Sequence, residues 1–412
     1  MLKINPSRLS ETLESLGAIG ETPEGMQRIA FSPADVEGRE FVKSLMREAG
    51  LKVRLDAAGN VIGRKEGSEG CLPAIGMGSH TDTVPKGGKY DGALGVIGAI
   101  ECVRTLKGEG VATRHPLEVL VYTNEEGTQF RRWLYGSRAM AGLLVEDDLT
   151  CVDDIGVPIG ERLKDVDGDV ARIMEAARSP DEFSAYLELH IEQGPVLHRT
   201  GVAIGDVTAI TGRIGMNVSV QGAANHAGTT PMGHRRDALL AATHVIQFIN
   251  AIATDEEICR VGTVGMVEVS PNAENVIPGR VDISVEFRDE TILRIQRAAQ
   301  RFREKCDVLC QQRDVAIEIE EVGLAAPAPM NDDIRAVIRE SARKLDLDVS
   351  SLPSGAGHDA QSMAAITRAG MIFVPSVDGV SHSPREYTSP EDCANGANVL
   401  LQTLLSLDAS LD

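Results

Sequence analysis

The stretch PAIGMGSHTDTV, from Pro73 to Val84, joins a short apolar run to a polar segment that contains His80 and Asp82. The apolar run predicts a buried β-strand, with the imidazole of His80 at its carboxyl end. Ligand sites in open α/β sheets lie beyond the carboxyl ends of the strands. Asp82 is placed to accept the second N–H of that imidazole, as carboxylates do behind metal-bound histidines. Taken alone, His80 is explained equally well as a polar residue that caps a strand.

Outward from this stretch, apolar runs rich in Val and Ile alternate with longer segments of helical periodicity. Glycine, proline and asparagine separate these segments, and the alternation is typical of an α/β fold. The expected helices are 33–49, 93–107, 236–254, 290–313, 331–345 and 389–407, and the expected strands are 51–55, 73–79, 117–123, 185–191, 214–221, 260–269, 281–288, 315–321 and 371–375.

One part of the chain has its own strand and helix order. From Arg213 to about Val322 the order is strand, helix, strand, strand, helix, strand, which is the split β-α-β arrangement of a ferredoxin-like sandwich. The residues that suggest chemistry lie mainly before this segment and again after it. We therefore expect an inserted α+β domain at 213–327, between two parts of a catalytic domain at 1–212 and 328–412.

Carboxylates follow two further apolar or glycine-rich segments. In GGKYDGALGV, Asp91 precedes Gly92 and an expected helix, although Asp-Gly is also common turn and N-cap chemistry. In TNEEGTQF, the apolar run LEVLVY leads into Glu125 and Glu126. Two adjacent carboxylates at the end of a buried strand are costly unless a cation compensates their charge, whereas a solvated turn would need no cation.

Two more histidines stand at or after expected strands. In ELHIEQGPVL, His190 and Glu192 share one face of a strand while Gln193 faces the other way. A core histidine with satisfied hydrogen bonds is the alternative for His190. In GVSHSP, His382 lies in a loop after the apolar run MIFVP, where a histidine is often simply exposed.

Together these segments supply three histidines and two or three carboxylates at the ends of strands. Such a set suits two divalent ions that share one bridging carboxylate and activate a water molecule. A single zinc ion would leave ligands unused. The nitrogen and oxygen ligands admit Zn, Mn, Co or Ni.

Composition limits the other functions that the chain could have. Its 412 residues include 41 Lys and Arg against 61 Asp and Glu, a formal charge of −20 at pH 7. This charge argues against nucleic acid and anionic membranes as partners. The beginning of the chain predicts an amphipathic helix and lacks the apolar core of a signal peptide, and the seven cysteines are scattered without a CxxC pair. We expect a cytoplasmic protein.

The motifs as a set resemble the two-metal amidohydrolases of the zinc exopeptidase clan, and specifically the hydantoinase/carbamoylase family. The resemblance runs from about Glu11 to Leu405, and the motifs HIEQGP and NHAGTTPM are specific to this branch. It implies an exopeptidase-like catalytic domain with an inserted dimerisation or lid domain. It also implies two metal ions per subunit, with His80 and His190 on one ion, Glu126 and His382 on the other, Asp91 as the bridge, Glu125 as the general base and Asp82 as the carboxylate behind His80.

The resemblance also implies residues that bind the substrate. His226 of NHAGTTPM matches a histidine that reaches across a homodimer to stabilise the oxyanion in the neighbouring subunit. Asn275 and Arg288 match residues that bind a substrate carboxylate. Without the family, His226 would be an exposed loop histidine and Arg288 part of a surface ion pair. Gln193 and Gly357 match residues that line the substrate site, and His358 is expected in a supporting role.

The expected reaction is hydrolysis of the ureido C–N bond of a small carboxylate-bearing substrate. An N-carbamoyl-L-amino acid is the first choice, and it would release ammonia, carbon dioxide and the amino acid. Allantoate, ureidoglycolate and N-carbamoyl-β-alanine (the substrate of β-ureidopropionase) are the alternatives within the branch. The more distant alternatives are an aminopeptidase or dipeptidase of the same clan and a binding protein without catalytic activity.

Overall fold

The computed structural model describes residues 1–411, and the backbone divides into two units. Residues 1–208 and 330–411 form what we call the larger unit, and residues 209–329 form the smaller unit. The division falls close to the boundaries expected from the sequence at 212/213 and 327/328.

Helices and strands alternate along most of the described chain. The helices are α1 (Pro6–Gly17), α2 (Pro33–Glu48), α3 (Ala93–Gly108), α4 (Tyr135–Met140), α5 (Glu146–Thr150), α6 (Ile159–Leu163), α7 (Val196–Thr200), α8 (Ala238–Thr254), α9 (Ile292–Arg313), α10 (Asp332–Lys344), α11 (Asp359–Met363) and α12 (Pro390–Ser410). The strands are β1 (Glu21–Thr22), β2 (Gly25–Met26), β3 (Lys52–Leu55), β4 (Val61–Lys65), β5 (Ala74–His80), β6 (Leu117–Tyr122), β7 (Phe183–Ile191), β8 (Ile204–Ile210), β9 (Gly212–Gln221), β10 (Asn225–His226), β11 (Val261–Ser270), β12 (Val276–Ile277), β13 (Arg280–Asp289), β14 (Ala316–Ala325), β15 (Ala328–Pro329), β16 (Val349–Ser354) and β17 (Ala369–Val374).

Local sequence signals start several of the long helices. Asn5, Ser32 and Ser389 each precede a proline, and each side-chain oxygen accepts a backbone N–H from the first turn of α1, α2 or α12. A polar cap satisfies an N–H that has no partner inside the helix, and proline at the first helical position loses no hydrogen bond there. These signals explain why the helices predicted at 33–49 and 389–407 begin close to the expected residue.

The larger unit contains a mixed sheet with a parallel centre. Strands β17, β7, β5 and β6 are neighbours in that order and run parallel to one another. Antiparallel strands flank them, β4 and then β3 beside β6, and β8 beside β17. Every residue of the four central strands is buried, as expected for a parallel sheet that is covered on both faces.

Alternate residues of the central strands face opposite sides of the sheet, one a hydrophobic core and the other a polar cluster. Leu187 and Leu189 of β7 join Ile75 and Met77 of β5 in a hydrophobic core with α1, α2, α3, α10 and α12. The residues between them point to the opposite face, because side chains alternate along a strand. His190 therefore lies on the face opposite that core, and this face carries the polar cluster described below.

The smaller unit is an antiparallel sheet covered on one face by two helices. Its strand order is β11-β13-β9-β14, and α8 and α9 pack against it around a core that includes Val218, Ile283 and Phe302. Along the chain the order is β9-α8-β11-β13-α9-β14. This is the ferredoxin-like arrangement that the sequence predicted, and the α/β prediction for the whole chain is likewise confirmed.

The predicted helices and strands are all present, but the sequence did not predict β4, β8, β16 or the shortest helices and strands. Strand β8, IGDVTAI, was not predicted, because the aspartate at its third position breaks the apolar run. That residue, Asp206, is completely buried, and Arg335 and Arg339 both donate hydrogen bonds to its carboxylate. The ion pairs that make its burial tolerable come from residues far away in the sequence. Within the described residues, no helix combines the length and apolarity needed to cross a membrane.

Candidate metal centre

The carboxyl ends of the four parallel strands carry most of the residues predicted for the site. His80 is the last residue of β5, and His190 is the last but one of β7. Glu125 and Glu126 follow β6, and His382 follows β17. Because these strands are neighbours and parallel, their carboxyl ends meet along one edge of the sheet.

Asp91 and two histidines form the first ligand group. One carboxylate oxygen of Asp91, Oδ1, lies 3.2 Å from Nε2 of His190 and 3.7 Å from Nε2 of His80. The other ring nitrogen of each histidine, Nδ1, lies 2.9 Å from a backbone carbonyl oxygen, of Asp82 for His80 and of Ile191 for His190. A carbonyl oxygen only accepts, so Nδ1 carries a proton in both rings and Nε2 is left for a cation.

Asp91 also belongs to a second ligand group. Its other carboxylate oxygen, Oδ2, lies 3.3 Å from Nε2 of His382, which is itself 3.6 Å from Oε2 of Glu126. Within each group the potential ligand atoms all lie within 4.8 Å of one another. The first group is buried, whereas the side chain of His382 is 50% exposed. The two groups meet only through the carboxylate of Asp91.

The charges of this cluster fit a divalent cation. Burial, and then the neighbouring carboxylates of Asp359 and Glu126, raise the pKa of Glu125 well above its ordinary value. Burial and Asp91 do the same to Glu126, whose Oε1 is buried without a hydrogen-bond partner among the described residues. Buried carboxylates that repel one another become stable when a cation lies between them. The His, Asp and Glu groups therefore form a site that can hold metal.

Asp91 raises the pKa of all three histidines, but burial outweighs this effect at His80. Burial lowers the pKa of His80 to about 4, so its ring is neutral. For His190, burial also lowers the pKa, but the hydrogen bond and charge of Asp91 overcome this effect and raise it to about 9. For His382 the hydrogen bond to Asp91 is the largest effect, and the pKa is again about 9. Metal binding to these rings has to displace protons, so the affinity for metal should increase with pH.

Asp82 makes a different contact from the one expected. Its carboxylate was predicted to accept the second N–H of His80, but Oδ1 lies 3.8 Å from Nδ1, and the backbone carbonyl of Asp82 takes that hydrogen bond instead. The two carboxylate oxygens accept the backbone N–H groups of Glu125 and Glu126, each at 3.2 Å. These N–H groups lie just past the end of β6, where no neighbouring strand pairs with them. The carboxylate thus holds the segment that carries Glu125.

Gln193 lies at the centre of the cluster. Its backbone is left-handed, with φ at 57°, and its N–H donates to Oγ of Ser376. Side-chain Nε2 donates to Oδ2 of Asp91 at 2.7 Å, and Oε1 is buried without a partner among the described residues. An unpaired acceptor beside the ligand groups is suited to a donor from a bound molecule.

Residues near Gly357 line the cluster from a further loop. Gly357 is exposed and precedes His358, which is buried with its ring centroid 4.4 Å from that of His190. Nε2 of His358 lies 2.8 Å from Oγ of Ser354. Glu188, which is not among the residues predicted for the site, forms a third potential ligand group with His190 and His358. Its position two residues before His190, on the same face of the strand, was the available signal.

The remaining predicted residues belong to the smaller unit. His226 lies on β10 opposite Val276 of β12, and the backbone carbonyl of Asn275 accepts the N–H of Ala227, so His226 and Asn275 are close neighbours. Both are exposed. Arg288 lies near the end of β13, where its Nε donates to the carboxylate of Glu286 at 2.5 Å.

The mixed α/β fold and this cluster of histidines and carboxylates are typical of hydrolases that depend on divalent metal ions. Residues 76–406 match the family described as Peptidase family M20/M25/M40. The chain belongs to this family, and within it to the hydantoinase/carbamoylase amidases that its sequence resembles.

Relatives of known name cover almost the whole chain. An N-carbamoyl-L-amino acid amidohydrolase of Geobacillus stearothermophilus is 41% identical over 98% of this chain and 99% of its own. A ureidoglycolate hydrolase of Arabidopsis thaliana is 37% identical, covering 99% of this chain and 88% of its own. The crystal structure of a hydantoinase/carbamoylase family amidase from Burkholderia multivorans matches with a TM-score of 0.91 at 36% identity, over 98% of both chains.

Proposed function

We propose that this protein hydrolyses the ureido C–N bond of a small substrate that bears a carboxylate, most directly an N-carbamoyl-L-amino acid. The observation that carries the proposal is the position of Asp91, whose two carboxylate oxygens belong to two separate ligand groups. The names of the relatives support the ureido substrate. Allantoate, ureidoglycolate and N-carbamoyl-β-alanine are the alternative substrates of the same chemistry.

Two divalent ions per subunit fit these groups. His80 and His190 would hold one ion, Glu126 and His382 the other, and Asp91 would bind both. Nitrogen and oxygen ligands of this kind accept Zn, Mn, Co or Ni. When bound, such ions polarise the substrate carbonyl and lower the pKa of a coordinated water molecule.

Glu125 is the residue we assign to proton transfer. Its Oε2 lies 3.5 Å from Nε2 of His80, so the carboxylate borders the first ligand group. The raised pKa of this buried carboxyl suits a group that takes a proton from the attacking water and returns it to the leaving nitrogen. Asp82 holds the backbone of Glu125 in place through its hydrogen bond.

Several side chains are assigned to the substrate. The unpaired Oε1 of Gln193 would accept an N–H of the ureido group, and the loop at Gly357 would line the same site. In the smaller unit, Arg288 and Asn275 would bind the carboxylate, since the planar guanidinium group pairs with both of its oxygens. His226 would stabilise the oxyanion of the substrate bound by the other subunit of a homodimer.

The surface of the smaller unit supports such a dimer. Strand β11 is an edge strand, and its Met266 and Val267 side chains are 48% and 43% exposed. On the opposite edge, β14 exposes Val322 and Leu324. Exposed edge strands with apolar side chains are suited to pairing with another chain. We also assign the enzyme to the cytoplasm, where its cysteines, all free in the described residues, would remain reduced.

The decisive experiment measures ammonia release by the manganese- or zinc-loaded protein. Four substrates are compared: an N-carbamoyl-L-amino acid, N-carbamoyl-β-alanine, allantoate and a dipeptide, the last with release of free amino acid as its readout. We expect turnover of a ureido compound that is abolished by a chelator and lowered about 10²- to 10⁴-fold in Glu125→Gln. Glu101→Gln is the matched control, because Glu101 is also buried but pairs with Arg8 outside the ligand groups.

Each alternative outcome has a clear meaning. Turnover of the dipeptide alone would assign the protein to the peptidases of the family. Metal binding without turnover of any of the four substrates would favour a binding protein on this fold. Equal losses in Glu125→Gln and Glu101→Gln would remove Glu125 from its assigned role.

A further inference from the structure

Glu386 is a buried carboxylate that belongs to neither ligand group. It lies four residues after His382, and its side chain is only 6% exposed. Its Oε1 accepts two consecutive backbone N–H groups, from Tyr90 at 3.0 Å and from Asp91 at 3.1 Å. The backbone of the residue that joins the two ligand groups is therefore held by a carboxylate almost three hundred residues further along the chain.

The second oxygen of Glu386 holds the loop of His382. Oε2 accepts the hydroxyl of Ser381 at 2.8 Å. The same hydroxyl also lies 3.1 Å from Oδ2 of Asp91, but it has one proton, and the shorter contact is to Glu386. His382 follows immediately with a left-handed backbone, φ at 53°, a conformation that costs energy for a residue other than glycine. The ring of Tyr387 also packs edge-on against that of Tyr90.

The sequence leaves room for this carboxylate at Gly88. A Cβ at that position would lie 2.2 Å from Oε1 of Glu386 and 2.4 Å from its Cβ. The second distance involves the stem of the side chain, so a rotation of the carboxylate alone would not relieve the clash. The absence of a side chain at Gly88 thus permits Glu386 to approach the backbone of the Asp91 loop.

We infer that Glu386 is a positioning residue that fixes Asp91 and His382 at the separation needed to hold two cations. This inference rests on the proposed function, since it assigns Glu386 to the same metal centre. Glu386 is not a catalytic residue, because both of its oxygens are used by the protein itself. It connects the loop of Asp91 to the loop of His382. Without it, His80, His190 and Glu126 would keep their own hydrogen bonds to the protein, whereas the loops of Asp91 and His382 would lose this connection.

The chain contains a structural counterpart for comparison. Asp408 is also buried, and its carboxylate also accepts two consecutive backbone N–H groups, from Arg114 at 3.0 Å and from His115 at 2.9 Å. None of these three residues belongs to a ligand group. Removing Asp408 should therefore weaken the fold in a similar way without reaching the metal centre.

The test measures the dissociation constants of Mn²⁺ by competition with a chelator, in the full-length protein and without substrate. In Glu386→Ala we expect the affinity for at least one ion to fall about 10- to 100-fold, the usual effect of losing a residue that supports a metal ligand. Glu386→Gln keeps an oxygen acceptor and should recover most of that loss. Gly88→Ala, which alters no polar group, should resemble Glu386→Ala. The visible spectrum of the Co²⁺-loaded protein should change in the same variants, and Asp408→Ala should lower the midpoint of urea unfolding while leaving both readouts unchanged.

Three results would overturn the inference. These are unchanged Mn²⁺ affinity in Glu386→Ala, unchanged affinity in Gly88→Ala, and an equal loss of affinity in Asp408→Ala. Failure of the proposed function would be distinguishable, because the metal-loaded wild-type protein would then release no ammonia from the ureido substrates, a readout separate from the Mn²⁺ affinities compared here. Should Glu386→Ala fail to fold, Gly88→Ala provides the same comparison, with Glu386→Gln as the variant that keeps the affinity.

Discussion

One oxygen of the Asp82 carboxylate accepts the backbone N–H of Glu125 at 3.2 Å, and the other accepts the backbone N–H of Glu126 at the same distance. This carboxylate therefore positions Glu125, the proposed general base, through the backbone, while a backbone carbonyl orients the ring of His80. Asp82 follows β5 and Glu125 follows β6, so these hydrogen bonds connect the segments that leave two neighbouring parallel strands, beside the ligand groups.

Replacement of Asp82 by asparagine should disrupt one of these two hydrogen bonds. An amide has one oxygen, so its NH₂ group would face the backbone N–H of Glu125 or Glu126 and leave a buried donor unpaired. We expect the free energy of unfolding at pH 8 to fall by about 1–3 kcal/mol. Urea unfolding measures this change, and the turnover number at full metal occupancy should fall as well. A stability equal to that of the wild-type protein would contradict the assignment.

The shared position of Asp91 predicts how metal content changes in variants. Asp91→Ala should lose both ions, because both ligand groups need its carboxylate, whereas His382→Ala should keep one ion per subunit. Metal analysis after dialysis at pH 8 gives the stoichiometry directly. His198→Ala is the control, since His198 is partly exposed and lies outside the groups. Equal metal loss in Asp91→Ala and His382→Ala would argue against separate sites.

Gly92 should be required for the first ligand group. Its φ is 62°, and a Cβ there would lie 2.4 Å from Nε2 of His80, the nitrogen assigned to the metal. Gly92→Ala should therefore displace this ring and remove metal from the site, in addition to backbone strain of about 1–2 kcal/mol.

Gly110 offers a matched control for that variant. Its φ of 64° is almost the same, but a Cβ there would meet nothing within 4 Å. Gly110→Ala should lose a similar amount of stability from the backbone alone and bind metal normally. If both variants bound metal equally well, the close approach of Gly92 to His80 would have no role in the site.

Asp35 should make the stability of the metal-free protein depend on pH. Burial raises the pKa of its carboxyl from 3.8 to about 6. Between these values the folded protein retains a proton that the unfolded chain has released, so the free energy of unfolding falls as the pH rises from about 4 to about 6. The full difference corresponds to about 3 kcal/mol.

Asp35→Asn removes this titration and keeps an oxygen for the N–H of Phe31, which donates to Asp35 at 2.8 Å. The unfolding free energy of the variant minus that of the wild-type protein should therefore increase between pH 4 and pH 7. Urea unfolding of both metal-free proteins across this range measures the difference. A difference that does not change with pH would show that the carboxyl titrates alike in the folded and unfolded chains.

Much of the site followed from local sequence. Apolar runs that end in His80 or in Glu125 and Glu126 predict strands with polar carboxyl ends, and the structure has these strands. The alternation of side chains along a strand likewise places His190 on the face of the sheet opposite to Leu189 and Ile191. Glu386 was not found in this way, because a glutamate in a polar loop has no local feature that reveals burial.

The sequence by itself determined which ligand types the chain has and that they stand at the ends of strands, because hydrophobic periodicity is a local property. Only the tertiary structure decided that β17, β7, β5 and β6 are neighbours in that order, and this order brings His382 and His190 to the same aspartate. It also decided that the Asp82 carboxylate holds Glu125 and that Glu386 holds Asp91. These contacts join residues far apart in the chain, and the pairing and packing that create them depend on the whole fold.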